Sequence, residues 1–290
     1  MKRVAVLYHH PCVDGAFAAF AAQQTLGPDA LYVGHNVNVP FPLERIADCT
    51  HVYLLDYVGP EGFVEQLARS KERVTVIDHH KTAQPALEAL RGRVPNVEVL
   101  FDLARSGATL ALAHFAPELS PEMRQCFALV EDNDLWRHAL PDTRAFSAGI
   151  RAELDLESAT LLADVGRLRL EALLERGAAE LAQEARRVQS ELERRYAVRV
   201  GGEVEMLAVD TQVPALRSTL GNELAELSRA EGLAPAAAVC YEDAGQWKVS
   251  LRSLGAFDTT ELAKRYHGGG HLNASSFVVD RSVWDSWRVK

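Results

Sequence analysis

Three short apolar runs early in this chain each stop on histidine or aspartate, and that pattern limits the fold more than any other feature. Residues 4–7 lead into Tyr8-His9-His10-Pro11-Cys12-Val13-Asp14-Gly15, residues 52–55 into Asp56, and residues 74–77 into Asp78-His79-His80. Such runs do not alternate apolar with polar positions, so they read as strands covered on both faces, which is the signature of a parallel sheet. Further runs at 31–33 and 97–101 supply two more strands, and residues 14–26 and 61–70 read as helices between them. Strand–helix alternation is the α/β pattern. Ligands of open parallel sheets sit beyond the carboxyl ends of the strands, and three strands here deliver His and Asp to that edge.

The 290 residues are 48% hydrophobic and 24% charged, enough apolar material to offset chain entropy, which excludes a disordered chain. That length favours two domains over one. With 31 Lys+Arg against 40 Asp+Glu, the net charge of −9 argues against a basic coat for long duplex DNA. It leaves room for a local site for a short nucleotide. Cys12, Cys49, Cys126 and Cys240 form no C-x-x-C pair, so neither a zinc-finger nor a thioredoxin-like motif is present. The apolar stretch after Met1-Lys2-Arg3 is too short for a signal-peptide core, and no run approaches the ~18 residues of a membrane span. The expectation is a soluble protein of the reducing cytoplasm, with no membrane partner.

The spacing predicts three parts. Residues 1–166 form the parallel-sheet domain. Residues 167–200 form a helical linker, with Leu174, Leu181 and Val188 recurring every seven residues and Gly201-Gly202 ending it. That helix suits a connector, a packed charged helix or a homodimer seam. Residues 201–290 form a smaller mixed α/β domain, with strands expected at 204–209, 236–241, 247–251 and 276–279 and helices at 216–231 and 259–266.

A lone Asp after a strand is ordinarily a cap or turn residue, and a lone His an ordinary surface group. Several acids brought together are different, because burying them without a cation is costly. Carboxylates mixed with imidazole and no thiolate cluster suit Mn²⁺ or Mg²⁺, with Fe²⁺ or Zn²⁺ also compatible.

These residues carry a resemblance. Asp78-His79-His80 after an apolar strand resembles the signature of the DHH phosphoesterase family. The segment from His9 to Gly15 resembles its first motif, Asp56 its second, and Glu131-Asp132-Asn133-Asp134-Leu135-Trp136 its fourth. Gly268-Gly269-Gly270-His271, with Arg252-Ser253 upstream, resembles the glycine-rich motif of the DHH-associated domain. The five motifs fall in the family's order and span nearly the whole chain.

The resemblance implies metal-dependent hydrolysis of phosphate esters or anhydrides at one or two ions, Mn²⁺ foremost. It implies that Asp56 bridges two metals. Asp14, His79 and the fourth-motif carboxylate, Asp132 in preference to Asp134, complete one site. His9 and residue 12 complete the other. His80 then faces substrate phosphate, and Asp78 orients His79 from behind. Arg252, Gly268, Gly269, Gly270 and His271 bind substrate, from a domain that closes over the metal face, and Asn273 and Ser275 extend the same loop toward a base or sugar. Where the family places Asp, this chain has Cys12. That thiol weakens the His9 side, or ligates and biases the site toward Zn²⁺ or Fe²⁺, or merely packs under the loop. Arg105-Ser106-Gly107 opens a helix, with Ser106 read as its cap. The expected activity is 3′→5′ hydrolysis of short oligonucleotides or of nucleotide phosphates. The alternatives are a phosphoanhydride hydrolase acting on polyphosphate or pyrophosphate, and a nucleotide-binding protein impaired in catalysis.

Overall fold

The computed structural model describes residues 4–37, 39–243 and 245–289, so Met1-Lys2-Arg3 lies outside the described residues. The chain divides into two compact units between Leu181 and Ala182.

In the first unit, β1 (Val4–His9), β2 (Leu31–His35), β3 (His51–Leu55), β4 (Arg73–Asp78) and β5 (Val97–Phe101) form one sheet. Its order is β2-β1-β3-β4-β5 and every pair is parallel, as the apolar runs imply. The runs are continuous because alternate residues enter different cores. Ala5 and Leu7 pack with Val52, Leu54, Val74 and Val76, whereas Val6 and Tyr8 pack with Leu55 and Ile77. The second of these cores also takes in α1 (Val13–Leu26), α4 (Gly107–Phe115), α5 (Pro121–Asp134), α6 (Thr143–Glu153) and α7 (Leu161–Gly166). The first is closed by α2 (Phe63–Ser70) and α3 (Gln84–Leu90). Helix α1 is buried continuously from Asp14 to Ala22. Its alanines let it lie deep in the layer, where Phe17 meets Phe127 edge-on at 5.1 Å.

The strand order matters for the site. The chain leaves β1 for β2 on one side and returns to β3 on the other, so the topological switch point lies between β1 and β3. His9 ends the one strand and Asp56 follows the other.

Helix α8 (Leu170–Leu192) crosses the division between the units. It stops at Leu192, not at Gly201-Gly202 as expected. Residues 196–200 are instead β6 (Tyr196–Val200), and the two glycines, with φ of 62° and 77°, make the turn into β7 (Val204–Asp210). Val198 and Val200 bury their branched side chains in the second unit's core, and that packing outweighs the charged helical pattern.

The rest of the second unit comprises α9 (Arg217–Ala230), β8 (Ala236–Asp243), β9 (Gln246–Ser253), α10 (Thr260–Lys264), β10 (Gly269–His271), β11 (Ala274–Val279) and α11 (Arg281–Ser286). Its sheet runs β10-β11-β9-β8-β7-β6, antiparallel except for β7 and β8. It therefore has two strands, β6 and β10, beyond the four expected. No described helix is long and apolar enough to cross a membrane.

Candidate metal centre

Asp56 is the hub. It leaves β3 in a left-handed conformation (φ 52°) that side-chain-bearing residues seldom adopt, held by its own N–H donating to Ile77 O at 2.9 Å. Its carboxylate is almost wholly buried. Oδ2 lies 3.1 Å from His9 Nδ1 at the end of β1. Oδ1 lies 3.3 Å from His79 Nε2 and 3.6 Å from His80 Nδ1, both just past β4.

Asp14 comes from the first turn of α1. Gly107 N–H donates to its Oδ2 at 2.7 Å and Ala108 N–H to its Oδ1 at 3.0 Å. The N-terminus of α4 thus binds this carboxylate with its unpaired amides. Ser106 is the cap of that helix, as the sequence suggests, accepting from Thr109 N–H. His79 Nε2 sits among three acids, 3.3 Å from Asp56, 3.4 Å from Asp134 and 3.7 Å from Asp14.

Among the described residues, two groups have the spacing to hold a cation, His9–Asp56–His80 and Asp14–Asp56–His79, and they share Asp56. Asp56 Oδ1 is buried without a hydrogen-bond partner. A buried carboxylate oxygen that faces two imidazoles without a hydrogen bond can coordinate a cation, so the donor set fits a hard or borderline dication.

Proton affinities point the same way. Burial, then the charges of Asp56 and Asp134, push Asp14 well above the usual carboxylate range. Burial first also raises Asp134. Burial opposes ionisation of Asp56 too, but its contacts with His79 and His9 and the charge of His80 hold it low. Burial pulls His79 down, yet Asp56 and the charge of Asp14 prevail and raise it. Without a cation, the crowding in this cluster raises the proton affinity of Asp14, Asp134 and His79.

Two expectations differ from the observed contacts, and the open question at residue 12 narrows. Asp132 does not face the cluster. Its carboxylate accepts from Ala139 N–H at 3.0 Å, Leu140 N–H at 3.1 Å and the Thr143 hydroxyl, which folds the chain after α5. Asp134, two residues on, is the fourth-motif acid beside His79, because a shift of two positions turns a helical residue to another face. Asp78 orients His80, not His79: its Oδ1 accepts from His80 Nδ1 at 2.9 Å. That hydrogen bond, opposed by burial but reinforced by the charges of Asp78, Asp56 and Asp134, raises His80 to about 9. His80 also takes the place beside His9 and Asp56 that the resemblance assigns to residue 12. Cys12 belongs to neither group among the described residues. Burial and the Asp56 charge push its thiol up, so it stays neutral.

Two glycines beside the site went unassigned. A Cβ on Gly15 would lie 2.2 Å from His9 O, and one on Gly107 would lie 2.7 Å from Asp56 Cβ and 2.8 Å from Asp14 Oδ2. Both stand in quoted motifs, but only the close approach explains them.

In the second unit, His271, Ala274 and Arg252 lie in register across β10, β11 and β9 and so share one face of the sheet. His271 is exposed. Arg252 Nη2 donates to Ser218 Oγ at 2.9 Å and Nη1 to Leu251 O at 2.9 Å. Gly268 and Gly270 are required by crowding, since a Cβ would lie 2.2 Å from Ser276 O and 2.4 Å from Ala274 O respectively. Gly269 is open. Asn273 and Ser275 are not poised toward a ligand. Asn273 Nδ2 donates to Ser253 Oγ and Gly255 O, and the buried Ser275 hydroxyl donates to Thr259 O.

No family model and no curated protein matches the chain. Among solved structures, the pGpG-specific phosphodiesterase PggH from Vibrio cholerae is similar over 98% of this chain and 96% of its own, at 12% identity and a TM-score of 0.52. The exonuclease RecJ bound to manganese aligns over 99% of this chain and 88% of its own, at 16% identity and a TM-score of 0.45. Of the two, the first is a likeness of fold.

Proposed function

We propose that this chain, which has the fold of the DHH phosphoesterases, is a metal-dependent phosphoesterase that hydrolyses short oligonucleotides from the 3′ end or nucleotide phosphates. The observation that carries this reading is the pair of His/Asp groups sharing Asp56, whose buried Oδ1 takes no hydrogen bond. The pGpG-specific activity named for the Vibrio cholerae neighbour is that of a phosphodiesterase on a dinucleotide, in keeping with a short substrate.

Asp14, Asp56, His79 and Asp134 would hold one divalent ion, and His9, Asp56 and His80 a second. A bound dication would lower the pKa of its water toward about 7 and supply positive charge for phosphate oxygens. The chain's own residues set the geometry. The amides of Gly107 and Ala108 fix both oxygens of Asp14. The left-handed turn at Asp56 aims one carboxylate at histidines from two strands. Asp78 anchors His80 by Nδ1, which leaves Nε2 for an ion or a substrate phosphate. Attack of water on phosphorus breaks the P–O ester bond, and the leaving oxygen takes up a proton.

The test is Asp56→Asn. Hydrolysis of short RNA in Mn²⁺ should fall to background and calorimetric Mn²⁺ binding should be lost. Full activity in the variant would overturn the assignment.

A further inference from the structure

A cavity of about 670 Å³ adjoins the centre within the first unit. His9, Asp56 and His80 form part of its lining. Ala86 and Ala89, three residues apart on α3, form another part, with Val58 and Phe63 from the segment after β3. The size falls within the roughly 300–1,000 Å³ of small-molecule sites. The wall is shaped by close packing: a Cβ on Gly59 (φ 77°) would lie 2.3 Å from the Phe63 ring. Tyr57 behind it is fully buried.

Charge decides what can enter. No lysine or arginine is among the residues lining the cavity, whereas Glu61 and Glu65 contribute two carboxylates. Beyond His9 and His80, a chain of further phosphates would meet acids and apolar surface with no lysine or arginine beside it. An uncharged heteroaromatic ring would instead cover the alanine and valine surface and donate its N–H groups to carboxylate oxygens. Asp56 and His80 line the cavity, so a group held in it lies within reach of a phosphate at Asp56.

We infer that this cavity receives the nucleoside of the substrate, with Glu61 or Glu65 accepting from an amino or imino N–H of the base. The inference rests on the reading that phosphate reacts at Asp56, and it extends that reading by excluding polyphosphate as the preferred substrate.

The test fills the cavity. Ala89→Trp and, separately, Ala86→Trp place an indole in it from exposed positions. Each should raise KM for a diribonucleotide about tenfold or more while kcat changes little, as for loss of uniform binding. Glu88→Trp, on the same helix but outside the lining, should keep the wild-type KM. A second readout needs no turnover. With Mg²⁺ present, GMP should shift the methyl resonances of Ala86 and Ala89, and inorganic phosphate should not. Wild-type KM in both alanine variants, or silent methyls at saturating GMP, would overturn the inference. A wild-type protein that cleaves no dinucleotide would overturn the proposed activity alone, since the GMP shifts still decide the cavity.

Discussion

The carboxyl edge of the parallel sheet and the glycine-rich strand pair of the second unit both looked like ligand sites, yet they handle polar groups in opposite ways. At the sheet edge, Asp14, Asp56, Asp134, His9, His79 and His80 crowd together, and one buried oxygen takes no hydrogen bond. In the strand pair, Ser275, Asn273 and Thr259 are occupied with one another and with nearby backbone, which leaves His271 exposed beside Gly269. Crowded, mutually dependent charges are costly unless a cation joins them. Satisfied polar groups are a folded hairpin and need nothing further. Under the proposed reading, the chemistry belongs to the first unit and the second offers a contact surface.

The contrast is tested most severely by two neighbouring acids. Asp134→Asn should abolish most Mn²⁺ affinity, read by calorimetry, and leave thermal stability near wild type. Asp132→Ala should do the reverse, costing about 1–3 kcal/mol in denaturant unfolding because two amides and a hydroxyl lose their acceptor. Equal metal affinity in the two variants would break the distinction. Gly107→Ala comes next. The added methyl meets Asp56 and Asp14 together, so a loss of about 1–3 kcal/mol should accompany weakened Mn²⁺ binding.

Smaller effects are expected in the second unit. Ser275→Ala should cost about 1 kcal/mol in unfolding free energy without altering hydrolysis. His271→Ala should raise KM a few-fold and leave stability unchanged. A large fall in kcat in either variant would move chemistry into that unit. The least effect is one of pH. His80 is raised to about 9 by Asp78, so its contribution to the stability of the metal-free protein is complete below pH ~6.5 and lost as pH rises toward 9. Asp78→Asn should flatten that slope in unfolding curves recorded in a chelator.

Much of the site was legible because its residues follow strands. His9, Asp56, His79 and His80 need only the strand register to reach one edge, and a short run rich in apolar, β-branched residues announces each strand. Helical positions were harder to place. Asp132 and Asp134 are both fourth-motif acids, and only the path of α5 and the chain after it turns Asp134 toward His79 while Asp132 caps the loop. Asp78 was assigned to the wrong histidine for a similar reason, since neighbouring side chains past a strand end take directions set by the local turn. Strand β6 was hidden by its charge pattern, because Tyr196–Val200 follows directly on a long charged helix.

The amino-acid sequence by itself determined the α/β alternation, the parallel first sheet and the sheet edge at which acids and imidazoles collect, because strand periodicity and burial are local properties of the chain. Only the tertiary structure decided which fourth-motif carboxylate lies beside His79, which histidine Asp78 holds, why Gly15 and Gly107 bear no side chain, and that Cys12 is in neither His/Asp group. Those outcomes depend on distances between segments up to about a hundred residues apart, such as the 2.7 Å from Gly107 N to Asp14 Oδ2, and no local pattern encodes them.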